Sequence, residues 1–157
     1  MADDLSCLVR AAEHFDDAAT FRHPLNPKSL THQRRLSDLT GLARTGVHHV
    51  RIPPGHESFV YHTHEREEEW IYVLSGRGVA EIGDSELEVG PGDFMGFKTP
   101  SVAHHLRNAG TEDLVYLMGG ERLDAEVADF PRHGRRMYRL RNLVDVVDVS
   151  NVRRFTP

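Results

Sequence analysis

The chain has a single cysteine, Cys7, among 157 residues. It can close no disulfide within itself, so it does not follow the disulfide-rich pattern of small secreted domains. It also lacks a strong charge of either sign: 19 Lys and Arg against 24 Asp and Glu leave a formal net charge of −5. With acids and bases interspersed, it has no basic footprint of the kind that grips nucleic acid. No apolar run approaches the ~18 residues of a membrane-spanning helix. The opening residues "MADDLSCLVRAAEHF" have neither a basic start nor an apolar centre, and so do not read as a secretory signal. These absences set the expectation of a cytoplasmic protein with no nucleic-acid and no membrane partner. The length and the 39% hydrophobic content fit one globular domain that buries a core without staples.

Histidine, by contrast, is plentiful, at 11 residues. It is a common neutral metal ligand and titrates near neutral pH. His14, His23, His32 and His56 stand alone and read as surface residues.

Along the chain, Leu5, Leu8, Val9, Ala12 and Phe15 have roughly helical spacing, which predicts a short helix within residues 3–19. Pro24 and Pro27 then interrupt, and residues 20–40 read as irregular or edge-strand structure. From residue 41 the text changes to short Val-, Ile-, Tyr-, Phe- and Leu-rich runs between Gly and Pro punctuation. The runs are "GVHHVRI", "SFVYHTH", "EEWIYVL", "VAEI", "ELEV", "FMGF", "AHHLRN" and "LVYLMGG". Strands this short and this regularly interrupted predict an all-β antiparallel sandwich or barrel. In the tail, Val144, Val146, Val147 and Val149 predict one further strand. Arg135, Arg136, Arg139, Arg141, Arg153 and Arg154 make a basic end that reads as a solvated surface.

One stretch stands out: "YHTHEREEEW", Tyr61 to Trp70. Alternation along a strand puts His62 and His64 on one face. Glu65, Arg66 and Glu67 fall in the connection and read as solvated. Glu69 opens the next strand and can return beside the histidines, with Glu68 a competitor one residue out of phase. In "PSVAHHLRN", His104, Leu106 and Asn108 share a strand face and His105 takes the other. If the barrel closes, His104 enters the same cavity. Three imidazoles and a carboxylate suit a divalent first-row metal with open positions for water or substrate.

These residues resemble the cupins. The first motif of that family matches Gly55, His62, His64, Glu69 and Gly76, and its Glu-to-Gly spacing selects Glu69 over Glu68. The second matches Pro100, His104 and Asn108, preceded by the "PGD" turn Pro91, Gly92 and Asp93. Only His104 keeps the three-residue spacing to Asn108. Two departures are visible: Gly55 to His62 is one residue longer than the usual pattern, and Pro100 to His104 one residue shorter, without the customary glycine after the proline. The resemblance covers residues 41–119. It implies a double-stranded β-helix, or jelly-roll barrel, with an N-terminal extension over 1–40. Residues 120–157 become a C-terminal extension, with an extra strand, packing on the barrel or on a partner subunit. Cupins are often dimeric, so a homodimer is expected, paired through residues 15–40 or the Val-rich tail.

A cupin barrel does not imply one reaction. The chain looks like small single-domain cupins that carry a provisional sugar-phosphate isomerase name. The first expectation is therefore a small-molecule metalloenzyme using Fe, Mn, Ni or Zn. It would be an isomerase or epimerase on a sugar or other carbonyl compound, or an Fe-dependent dioxygenase. Tyr116, Glu81 and His49 are candidate proton-transfer residues if they face inward, and Arg51, on the face of His49, is a candidate anchor for an anionic substrate. The alternative is a non-catalytic binding or sensing module. Such modules are normally fused to an output domain, and none is visible here.

Overall fold

A computed structural model describes residues 7–11 and 18–155. The helix predicted within 3–19 lies largely outside them. No helix among the described residues is long and apolar enough to cross a membrane.

The fold is an antiparallel barrel, as the strand pattern predicts, and of the jelly-roll type that the resemblance implies. A six-stranded sheet runs in the order β1 (Ala19–Phe21), β2 (Thr31–Arg35), β3 (Thr45–Ile52), β9 (Leu114–Glu121), β4 (Glu69–Ser75), β7 (Phe94–Phe97). Facing it is a three-stranded sheet of β6 (Ser85–Val89), β5 (Gly78–Ile82) and β8 (His104–Arg107). A second three-stranded sheet, β10 (Ala125–Phe130), β11 (Arg135–Leu140) and β12 (Leu143–Asp148), follows at the end. Residues 20–40 hold edge-strand structure, one of the two expectations: β1 ends the sheet, β2 pairs with β3, and the single-turn α1 (Leu36–Leu39) links β2 to β3. The tail forms three strands rather than one. Its arginines are not simply solvated: Arg136 makes two hydrogen bonds to Asp129, at 2.6 and 2.7 Å, across the β10–β11 pair.

Alternate side chains build the core. Val50 and Ile52 of β3, Ile71 and Val73 of β4, Leu106 of β8 and Leu114 of β9 are all buried in one cluster. Asn108 ends β8 from inside: its amide donates to the carbonyls of Ile52 and Glu112, and its carbonyl accepts from Gly110. That satisfies a buried polar side chain and explains why asparagine closes the motif.

The run "SFVYHTH" departs from its prediction as a strand. Its backbone is extended, but its partners change midway. The Ser58 N–H donates to Leu106 O, and His62 exchanges bonds with His104, both along β8. Thr63 and Glu65 then donate to Asp129 and Val127 of β10. The segment stitches two sheets together and forms no ladder with either.

Gly76 closes β4 at φ +77, and a Cβ there would stand 2.2 Å from the Asp113 carbonyl oxygen. Both the left-handed backbone and the contact demand glycine. Gly76→Ala is expected to lower unfolding free energy by about 3 kcal/mol in chemical denaturation.

A second cluster joins the extensions to the barrel: Val60, Ala128 and Phe130, with Leu25, Phe59 and Met137 against them. His23 belongs here rather than on the surface. Its ring centroid lies 4.3 Å from that of Phe59 and 5.6 Å from that of Phe130, and its Nδ1 accepts the Leu25 N–H at 3.2 Å. Burial, with His62 and His133 nearby, lowers its pKa to about 4. The unfolded chain takes up the proton near 6.5 while the folded one refuses it. The contribution is therefore complete above pH 6.5 and lost as pH falls towards 4. Solvent screening at this site holds the loss to roughly 1–2 kcal/mol. The stability advantage of wild type over His23→Gln should shrink by that amount between pH 7.5 and 4.5 in urea titrations.

Candidate metal centre

His62, His64, Glu69 and His104 come together as their spacing predicts: one ligand atom from each lies within 4.8 Å of all the others. The Glu69 Oε2 stands 2.9 Å from His104 Nε2, 3.3 Å from His64 Nε2 and 3.6 Å from His62 Nε2. Three elements supply them: the stitching segment, the first residue of β4 and the first residue of β8. Glu68 is exposed, its N–H held by Glu121. His105 is turned towards Glu57, 3.7 Å away, and stands outside the group.

Backbone contacts fix which nitrogen each ring presents. His62 Nδ1 lies 2.7 Å from the Val60 carbonyl and His104 Nδ1 lies 3.0 Å from that of Val102. A carbonyl only accepts, so both rings spend their proton there, and a neutral ring then offers a bare lone pair at Nε2. Phe97 stacks flat on His104, with ring centroids 3.6 Å apart, and holds its plane. The Nε2 atoms of His62 and His64 confront each other at 3.1 Å. Lone pairs so placed repel unless a cation or proton lies between them, so the donor set fits a divalent ion. Burial pushes Glu69 upward, but the three imidazoles outweigh it and hold its carboxyl well below the usual range. Burial lowers His62. For His64, Glu69 and Glu126 overcome burial and raise it.

Glu126, which composition and spacing gave no reason to single out, is 1% exposed. Its carboxylate accepts three consecutive backbone N–H groups, from Glu65, Arg66 and Glu67 at 2.9, 3.1 and 2.9 Å. Its Oε1 is also 3.4 Å from His64 Nδ1. It both moulds the acidic loop and faces the outer side of the His64 ring, the arrangement by which carboxylates orient imidazoles in metal sites. Glu67 is not solvated either: it is buried, paired with Arg139 and bonded to the Leu123 N–H at 2.6 Å.

The four residues open onto a cavity of about 360 Å³. Tyr116 lines it, buried, and burial together with Glu69 pushes its phenol upward, so it stays protonated at neutral pH. The other candidates do not line it. His49 and Arg51 lie on the far face of β3, and the neighbouring His48 faces the cavity. The alternation of His48, Val50 and Ile52 was the available signal. Arg51 pairs with Asp113 at 2.9 Å. Glu81 sits between two cavity-facing residues, Ala80 and Ile82, and points away, ion-paired with Arg107 at 3.1 Å and Arg132 at 2.6 Å.

Comparison with known proteins bears on the fold. Residues 48–120 match the Cupin domain family model. A crystal structure from Acidithiobacillus ferrooxidans, provisionally named a sugar phosphate isomerase, is 38% identical. It superposes with a TM-score of 0.92 over 97% of this chain and 98% of that one. A cupin-superfamily sugar phosphate isomerase from Silicibacter pomeroyi shares the fold at 24% identity, with a TM-score of 0.74 over 77% of this chain and 78% of that one. An oxalate-binding protein of Thermotoga maritima is 34% identical over 68 residues, 43% of this chain, and the match spans only 54% of that protein's length. On the barrel, the two matched motifs and a relative alike from end to end, the chain belongs to the cupin superfamily.

Proposed function

We propose that the chain is a metal-dependent enzyme acting on a small carbonyl or enolisable compound, with His62, His64, Glu69 and His104 as the metal ligands. The observation that carries this is the tautomer: the Nδ1–H groups of His62 and His104 donate to backbone carbonyls, leaving Nε2 lone pairs aimed at one point beside Glu69. A divalent ion held there would polarise a carbonyl or hydroxyl oxygen and acidify bound water.

The protein's own groups supply the rest. Tyr116, kept protonated, can donate to a substrate oxygen. His48, replacing His49 as candidate base, lines the cavity, and its Nδ1 has no hydrogen-bond partner among the described residues. Burial, then Arg35 and Arg122, lower its pKa and keep its ring neutral and ready to accept a proton. Such a pair suits isomerisation through an enol, in line with the relative's provisional name. The same ligands around Fe(II) would suit a dioxygenase. The homodimer remains part of this reading: β12 ends its sheet with Leu143, Val144 and Val146 exposed, an edge that a second copy would cover.

The test is elemental analysis of protein purified without added metal, followed by turnover of keto-sugars, diketones and phenolic acids by the loaded protein. Bound metal with turnover supports the enzyme. Bound metal with tight ligand binding and no turnover supports a binding module instead.

A further inference from the structure

The cavity walls bear on what the ion meets. Phe21, Phe59, Met95, Phe97, Phe130 and Met137 all line it. Phe21 stacks on Phe59 with centroids 5.6 Å apart, and the ring of Phe59 lies 5.4 Å from that of His62, so the aromatic wall reaches the ligands. Phe21 belongs to β1, Phe130 to β10 and Met137 to β11. All three lie outside residues 48–120, the part that matches the family model. The extensions therefore give this barrel an apolar wall of its own.

The polar lining offers little to a phosphate. Arg139 is neutralised by Glu67. Arg35 lines the cavity with its side chain 61% exposed and its nearest partner, Asp38, at 3.9 Å. A phosphate held there would sit in solvent. Gln33 donates to Thr31 at 2.7 Å, and Ser58 Oγ accepts the Leu106 N–H at 3.2 Å. Apart from His64 Nδ1, beside Glu126, and Arg139 Nε, in its pair with Glu67, the buried lining atoms without a hydrogen-bond partner among the described residues come down to His48 Nδ1 and the two ring nitrogens of His105. A sugar needs several free partners for its hydroxyls, and unpaired hydroxyls against phenylalanine are costly.

We infer that the substrate is a compact apolar molecule, aromatic or branched, that presents one oxygen-bearing head to the ion, rather than a phosphorylated sugar. This rests on the metal-centre reading above.

The experiment is calorimetric titration of protein reconstituted with one equivalent of Ni(II), using phenylpyruvate, pyruvate and ribulose 5-phosphate. The first two share a head and differ in the apolar body. Phenylpyruvate should bind roughly tenfold or more tightly than pyruvate, because the cavity buries its ring. Ribulose 5-phosphate should bind no more tightly than pyruvate. Phe21→Ser and Met137→Ser, both at partly buried positions, should cut the phenylpyruvate advantage while leaving nickel content and pyruvate affinity unchanged. Nickel retained with ribulose 5-phosphate bound tightest, with equal affinities, or with no binding at all overturns this inference and spares the metal centre. Nickel not retained overturns the metal-centre reading itself.

Discussion

Alanine at both His62 and His64 is expected to empty the site. Wild type purified without added metal should carry close to one ion per chain, and the double variant only background. Three imidazole Nε2 atoms and Glu69 converge on one point. Removing two of them leaves one imidazole and one carboxylate, too few donors to hold a first-row ion against water. The effect also reads out as stability. An ion present at about a thousand times its Kd adds about 4 kcal/mol to unfolding. For a chain of this length that raises Tm by roughly 12 °C. The double variant should show almost none of this increment when metal is added. Equal metal content in the two proteins would remove the ligand assignment.

The second large effect is expected at Glu126. Glu126→Ala takes away the acceptor of three backbone N–H groups and the carboxylate beside His64, all at a buried position. Each stranded donor carries its desolvation cost, and the loss should reach about 4 kcal/mol in urea denaturation of the apo-protein. Glu126→Gln keeps one carbonyl oxygen for the loop, so it should be the milder change in stability. Its other atom is an uncharged amide, which removes the carboxylate's charge from beside His64 Nδ1. Chelator competition should show metal affinity down by roughly 10- to 100-fold in the glutamine variant. Unchanged affinity in that variant, with reduced stability, would leave Glu126 a purely architectural residue.

Much of the barrel was legible because strand alternation and Gly-centred turns are local signals. The runs beginning at Thr45, Glu69, Gly78, Ser85, Phe94, His104 and Leu114 each contain enough β-formers, and enough punctuation, to declare themselves. The clustering of the four candidate ligands was legible for a similar reason: His62 and His64 are two apart, and the motif spacing picks out Glu69 and His104. Phase errors account for His49 and Glu81. A single-residue slip moves a side chain to the opposite face, and the apolar neighbours Val50, Ile52, Ala80 and Ile82 carried the right phase. Glu126, Glu67 and Arg139 were not legible, because their roles arise from contacts 56 to 72 residues apart in sequence. Nothing near Glu126 in the sequence marks it as facing inward rather than to water. The stitching segment reads as a strand because its residues favour an extended backbone, while the switch of partner between His62 and Thr63 is a property of the assembled sheets.

That switch has a consequence for the order of assembly. A ribosome delivers His62, His64, Glu69 and His104 well before it delivers the hairpin that pins the loop between them. Until Glu126 is in place, the early imidazoles hang from a connector with nothing to hold its amides. A nascent cupin barrel of this kind would grip any ion loosely, and tighten only when the last quarter of the polypeptide folds back over it.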